Sequence, residues 1–302
     1  MAGTLSRAAV ERACAFVERE GRALDAALLQ HDLFDGPAQS VRTALAAYQN
    51  ADGGFGHGLE PDLATPASTA IATSVGLRLL RRLDAGADDA MVAAAIDWLS
   101  ETIDESGVWP IVTAAVDEAP HAPWWNWSQN LAESWNSFAY NPSAELLGYL
   151  YAWRPVAPEA LLAAAETAFR RTLDRSEMIE GAYDLKCAVR LAESPGVPEA
   201  VVRPLEALIR RSLAAHDPND EHLDLLELAP GPGALLAEAL ADRVGPALDA
   251  AIAAQEADGG WPLFWDWGFV DAAAWARAKR DWRGWRTRET LAALDAWGRI
   301  EP

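Results

Sequence analysis

The phrase Gln-x-x-Asp-Gly-Gly-aromatic occurs twice in this chain, at residues 49–55 and again at 255–261. Recurrence of one phrase near both ends marks an internal repeat, which constrains the architecture before any single helix is assigned. Its residues suit a helix end. Gly-Gly supplies positive φ where a helix must stop, and Asp52 and Asp258 favour a turn. The Gln amide reaches backbone groups left over at a neighbouring helix end, and the aromatic ring folds back onto adjacent helices. A degenerate third copy follows Trp98-Leu99, through Ile103 to Gly107-Val108-Trp109. Aligning Gly53, Gly107 and Gly259 gives gaps of 54 and 152 residues, the second close to three units of about 51, the size of an antiparallel helix pair with its loops.

Helical periodicity agrees with that unit. Residues 6–20, 38–49, 67–83, 88–101, 142–153, 157–173, 180–193, 197–214, 233–254 and 286–298 are predicted helices, rich in Ala, Leu, Glu and Arg. Shorter helices are predicted near 22–31, 128–136, 220–228 and 270–281. Pro66-Ala67-Ser68-Thr69 and Asn141-Pro142-Ser143 place Pro or a capping side chain at helix starts. Alternating strand patterns are nearly absent. The expected fold is all-α: one domain over 1–302, six helical hairpins closed into an (α/α)6 barrel, or α/α toroid, with one set of helices lining a cavity.

Composition limits the partners. Of 302 residues, 51% are hydrophobic, enough for a large core. The formal net charge of -20 repels nucleic acid and anionic membranes. No run approaches the roughly 20 apolar residues of a membrane span, and the N-terminus has no secretory apolar stretch; the expected location is the cytoplasm. Two cysteines, Cys14 and Cys187, make neither a disulfide framework nor a Cys-rich metal site. Fourteen tryptophans, most within 109–153 and 261–297, point to an aromatic cavity or to repeated stacking.

The Gln-x-x-x-Gly-x-aromatic repeats, with Trp98-Leu99 before one of them, resemble the QW motifs of terpenoid cyclases and the glycine-aromatic repeats of protein prenyltransferase β subunits. The resemblance implies an α/α toroid and a hydrophobic, isoprenoid-like ligand. The chemistry of those families is not carried over. The Asp-x-Asp-Asp acid motif is missing, since Asp88-Asp89 follows Gly86 and falls at a helix start, and no aspartate-rich diphosphate motif occurs. Asp184 and Cys187 are the weak candidates for a prenyltransferase-like zinc site, with His216 and His222 downstream; no cofactor is expected.

The candidate site residues follow the turns. His57, Glu60 and Asp62 come after the first glycine turn, and Asp266 lies within Trp261-Pro262-Leu263-Phe264-Trp265-Asp266-Trp267. Carboxylates beside Trp faces are candidate acids. Trp124, Trp125 and Trp127, with His121 before them and Glu133, Trp135 and Asn136 after, occupy a long irregular stretch suited to a lid. Asn141, Glu145 and Tyr149 recur every four residues and share one helix face. Glu60, Asp62, Asp266 and Glu145 are the catalytic candidates. His57, Trp124, Trp125, Trp127, Asn141, Tyr149, Trp261, Trp265 and Trp267 are the candidates for binding a small hydrophobic or amphipathic ligand. Three functions remain open: an isoprenoid-binding enzyme, a non-catalytic binding or scaffold toroid, and a carbohydrate-active hydrolase or lyase with paired carboxylates.

Overall fold

The computed structural model describes residues 3–127 and 140–301. The short helix predicted near 128–136, and Glu133, Trp135 and Asn136, lie outside the described residues. Among those described there are twelve α-helices and no strands. They are α1 (Arg7–Glu20), α2 (Ala23–Phe34), α3 (Ala38–Leu45), α4 (Ala70–Arg82), α5 (Ala90–Thr102), α6 (Tyr140–Ala152), α7 (Glu159–Leu173), α8 (Ala182–Ala192), α9 (Glu199–Ala215), α10 (Leu225–Leu228), α11 (Ala241–Ala253) and α12 (Ala272–Ala296). None is long and apolar enough to cross a membrane.

Burial differs between alternate helices. Along α1 it follows Ala9, Ala13, Phe16 and Val17, a single stripe at helical spacing. The odd-numbered α5, α7 and α9 repeat that pattern. The even-numbered α4 and α6 are enclosed on nearly every side: in α6, Tyr140 and every residue from Pro142 to Tyr151 is buried. Each large side chain fully withdrawn from water contributes about 1.5–3 kcal/mol, so the enclosed helices anchor the fold.

The chain divides into two compact units. Unit 1 runs from the N-terminus to Leu45 and from Leu223 to the C-terminus; in it α12 packs on α1, α2 and α10, and α11 on α10. Its two chain ends join directly: Leu5 pairs in parallel with Ile300, and Glu301 N donates to Leu5 O at 3.0 Å. The other unit, Ala46–His222, is centred on α6, which packs on α4, α7 and most extensively α8.

Helix starts are capped as their sequences require. Thr69 accepts from Ala72 N and opens α4. Asp89 accepts from Met91 N at 2.8 Å and opens α5, which accounts for the Asp88-Asp89 pair. Asp271 caps α12.

Two predicted boundaries need correction. The helices predicted at 270–281 and 286–298 are one continuous helix, α12. Gly284 does not break it; a Cβ there would fall 2.8 Å from Gly21 Cα, so the glycine serves close approach to the chain before α2. The helix predicted from 233 begins only at Ala241. Residues 231–240 are successive turns closed by Ala234 N to Gly231 O and Ala237 N to Ala234 O. They bury Leu236, Ala237 and Leu240, so tertiary burial overrides helix propensity there.

The repeated phrase forms the same turn in both units. Gln49 Nε2 donates to Gly53 O and to Met91 O, both at 2.9 Å. Gln255 Nε2 donates to Gly259 O at 3.0 Å and to Ala9 O at 2.9 Å. Asp52 and Asp258 each accept from the second glycine's N–H at 3.0 Å. Phe55 N and Trp261 N donate to threonine hydroxyls on α4 and α12, those of Thr73 and Thr287. The degenerate copy keeps the central geometry. Gly107 has φ 84° and faces Ala164 O on α7. Trp109 Nε1 donates to Leu99 O ten residues back, as Trp261 Nε1 does to Ala251 O. The turns after α5 and α11 therefore staple the end of each of those one-sided helices to the flank of α7 and α1, respectively.

Candidate functional site

Polar side chains meet where α4, α6 and α8 pack. Arg78 comes from α4; Asn141, Glu145 and Tyr149 from α6; Asp184, Cys187 and Arg190 from α8. Glu145 is the centre, with 2% of its side chain exposed. Arg190 Nη1 lies 3.0 Å from Oε2, Arg78 Nε lies 3.6 Å from Oε1, and the Tyr149 hydroxyl donates to Oε1 at 2.5 Å. Cys187 Sγ is 3.6 Å from both Glu145 Oε2 and Asn141 Oδ1. Asp184 Oδ1 accepts from Asn141 N at 2.8 Å. The four-residue spacing of Asn141, Glu145 and Tyr149 does put them on one face, and Asp184 and Cys187, weighed in sequence as metal ligands, belong to the same cluster.

The electrostatics assign protonation states. Burial raises the Glu145 pKa, but Arg190, Arg78 and the Tyr149 hydroxyl outweigh it and hold the carboxyl below its ordinary 4.5. Burial, then the charge on Glu145, pushes Tyr149 well above 10.0 and Cys187 well above 9.0. Burial raises Asp184, partly offset by the Asn141 N–H. Near neutral pH the centre is thus an ionised carboxylate gripped by guanidinium groups, beside a neutral phenol and a neutral thiol. Glu145 cannot act as an acid there, and Cys187 is no nucleophile.

A testable consequence concerns alkaline pH. A group whose folded pKa is raised contributes stability that is complete below its unfolded pKa and lost as pH climbs. Tyr149 and Cys187, with ordinary values of 10.0 and 9.0, therefore make the fold weaken as pH rises through about 9–10. At about pH 8 a thiol reagent is expected to label half-buried Cys14 and to reach Cys187 only on unfolding. Rapid labelling of two thiols per native chain would contradict this.

The other candidates lie elsewhere. Glu60 and Asp62 are buried in the loop after the first turn. That loop pairs with a second one: Ala122 N donates to Asp62 O at 2.8 Å and Ala64 N to Pro120 O at 3.0 Å. Trp125 and Trp127 pack on a small apolar cluster of Leu63, Ile111, Val112 and Val116, while Trp124 is exposed. His57 has φ 56° and its Nε2 lies 2.8 Å from Asn50 Oδ1, within the turn network. Asp266 is exposed and closes a turn by accepting from Gly268 N at 2.7 Å. Trp261 and Trp267 are buried, and Trp265 is half-buried. His216 Nε2 is 2.7 Å from Asp220, and His222 Nδ1 is 3.3 Å from the Tyr183 hydroxyl. Among the described residues no group of three or more His, Cys, Asp or Glu is placed to hold a metal ion.

Arg78 and Arg190 escape the sequence reading. A signal was available: each sits inside an apolar run, Gly76-Leu77-Arg78-Leu79-Leu80 and Ala188-Val189-Arg190-Leu191, where a charge is costly unless paired.

Unit 1 has its own buried charges. Arg22 Nε lies 2.8 Å from Asp25 Oδ2, and Arg288 Nη1 lies 3.2 Å from Asp32 Oδ2. Both guanidinium groups sit over the Trp285 ring, at 5.8 and 4.8 Å from its centroid. These side chains belong to α2, its N-cap and α12. Comparisons of the chain with known protein families, curated proteins and solved structures found no match.

Proposed function

We propose that the chain is an α/α-toroid binding protein whose six hairpins close through the repeated turns. It takes a small amphipathic ligand with an anionic head at the Arg78–Glu145–Arg190 cluster and an apolar, isoprenoid-like tail. The toroid reading is supported by the alternation of one-sided and enclosed helices from α4 to α9 and by the common turn geometry. The binding reading rests on one observation: two guanidinium groups from α4 and α8 converge on one buried carboxylate of α6.

Glu145 acts here as a positioning residue. It grips each guanidinium, whose planar fork carries five donors in all, while 27% of the Arg78 side chain and 21% of the Arg190 side chain stay exposed. Arginine held this way suits planar recognition of phosphate or carboxylate oxygens. A glycosidase role is less well supported, because a carboxyl held below its ordinary range does not supply the protonated acid that such cleavage needs.

The test is a binding series with farnesyl diphosphate, farnesol and inorganic pyrophosphate, followed by thermal shift and calorimetry. Farnesyl diphosphate is expected to bind tightest, and Arg190→Met to weaken it by about 10- to 100-fold, the value of one or two charge-assisted hydrogen bonds. Absence of binding by all three compounds, or equal binding to wild type and Arg190→Met, would overturn the proposal.

A further inference from the structure

A cleft of about 430 Å³ opens in the unit Ala46–His222, between the end of α9 and the chain that leads into α8. Met178 and Ile179 give it an apolar side, and Glu180, Asp217 and Asp220 bring three carboxylates to it. His216, the residue that caps α9, lines it as well.

His216 is the fixed group of the cleft. Its side chain is 8% exposed, and its Nε2 lies 2.7 Å from Asp220 Oδ2. The hydrogen bond from His216, then the His222 N–H, holds Asp220 below its ordinary 3.8, so Asp220 is an ionised acceptor. Nε2 therefore carries the hydrogen, and a neutral imidazole keeps its lone pair on Nδ1. Nδ1 has no hydrogen-bond partner among the described residues, and it is not one of the enclosed polar atoms that lack one. It is an acceptor held in place by Asp220 and open at the cleft.

The rest of the polar lining is also made of acceptors. Glu180 is exposed, and its carboxylate makes no hydrogen bond or ion pair among the described residues. Asp217 uses Oδ1 to accept from Asn219 N at 2.9 Å, which leaves Oδ2. Among the described residues no Lys or Arg lines the cleft, and Arg211, one turn back on α9, donates to Glu177 O at 2.6 Å. The C-terminal end of α9, a helix of 17 residues, adds a partial negative charge. Among the described residues no three ligands are placed to hold a metal ion. The complement of this lining is an organic cation with N–H donors and an apolar body. A primary ammonium has three donors and no acceptor.

We propose that this cleft binds a primary ammonium on a short apolar chain, which donates to His216 Nδ1 and sets its charge against Glu180 and Asp217. Asp220 acts as a positioning residue, since it fixes the tautomer and the ring. The cleft shares no residue with the Arg78–Glu145–Arg190 cluster, so either proposal can fail alone.

The experiment uses the full chain with carbon-13 in its methionine methyl groups and nitrogen-15 in its histidine rings. The chain has three methionines and five histidines, so the Met178 and His216 signals can be assigned from Met178→Leu and His216→Gln. If either variant fails to fold, triple-resonance spectra of the wild type assign them. n-Butylammonium, n-butanol and tetramethylammonium are titrated separately at constant ionic strength. Butylammonium is expected to move both signals saturably. The double variant Glu180→Gln/Asp217→Asn is expected to bind it about 3- to 10-fold more weakly, the value of two exposed charge pairs. Butanol lacks the charge and tetramethylammonium lacks the donors, so both are expected to act more weakly on His216. Equal responses to butylammonium and butanol, no response at millimolar concentration, or unchanged affinity in the double variant would overturn the site. A His216 Nδ1 that already carries the hydrogen before ligand is added, or a larger response to tetramethylammonium, would overturn the hydrogen bond to His216.

Discussion

Gly53→Ala is expected to lower stability by about 3 kcal/mol, and Gly259→Ala by a similar amount. The two glycines have φ of 92° and 98°, where an L-residue is penalised by about 1–2 kcal/mol. Space adds to the cost. A Cβ at Gly53 would fall 2.1 Å from Ala94 O, and one at Gly259 would fall 2.3 Å from Arg12 O. Both obstacles are backbone atoms of packed helices, so the turn itself must open. Opening it strains the hydrogen bonds of Gln49 to Gly53 O and Met91 O, or of Gln255 to Gly259 O and Ala9 O, each worth about 1 kcal/mol. Gly245 provides the contrast, since it sits in α11 and an added Cβ meets nothing within 4 Å beyond its chain neighbours. Gly245→Ala is expected to leave stability within about 1 kcal/mol of wild type, because the gain in helix propensity is opposed by contact of the new Cβ with the ring of the following Pro246. Urea denaturation of the three variants separates a turn that needs glycine from a helix that tolerates it.

Glu145→Gln is expected to be as damaging, at about 3 kcal/mol near neutral pH. Breaking a buried ion pair by removing one partner typically costs about 3–5 kcal/mol, and the partial exposure of Arg78 and Arg190 places this case at the lower end. The loss depends on pH in a defined direction. The folded pKa of Glu145 lies below its ordinary 4.5, so its contribution is complete above the unfolded value and disappears as pH falls through the folded one. Wild type and Glu145→Gln should therefore differ most near neutrality and converge in acid. A constant difference across the acid range would mean that the carboxylate's charge is not what the cluster uses.

The repeat was legible in sequence because its constraint is local. Positive φ demands glycine, a tight turn favours Asp, and a helix end leaves backbone groups for Gln, so the phrase at 49–55 and 255–261 spells out its own geometry. The face shared by Asn141, Glu145 and Tyr149 was legible for a similar reason, since spacing within one helix fixes it. The convergence of Arg78, Glu145 and Arg190 was not, because it depends on how three helices separated by loops pack together. Helix boundaries were misread where packing overrode propensity: Gly284 continues α12 because its bare Cα meets Gly21, and residues 231–240 turn to bury Leu236 and Leu240. The Trp-rich stretches were read as one kind of feature, yet Trp261 and Trp267 are buried, Trp125 and Trp127 pack on a loop cluster, and Trp265 pairs with Trp282.

A carbon-13 titration of the Glu145 side-chain carboxyl, assigned from Glu145→Gln, decides whether the cluster is a charged binding wall or an acid–base centre. The expected result is a carboxylate that stays ionised from neutral pH down to below its ordinary 4.5, while farnesyl diphosphate, when added, perturbs the Arg78 and Arg190 guanidinium signals. A Glu145 carboxyl that instead takes up its proton near neutral pH would contradict the binding account and restore Glu145 as an acid.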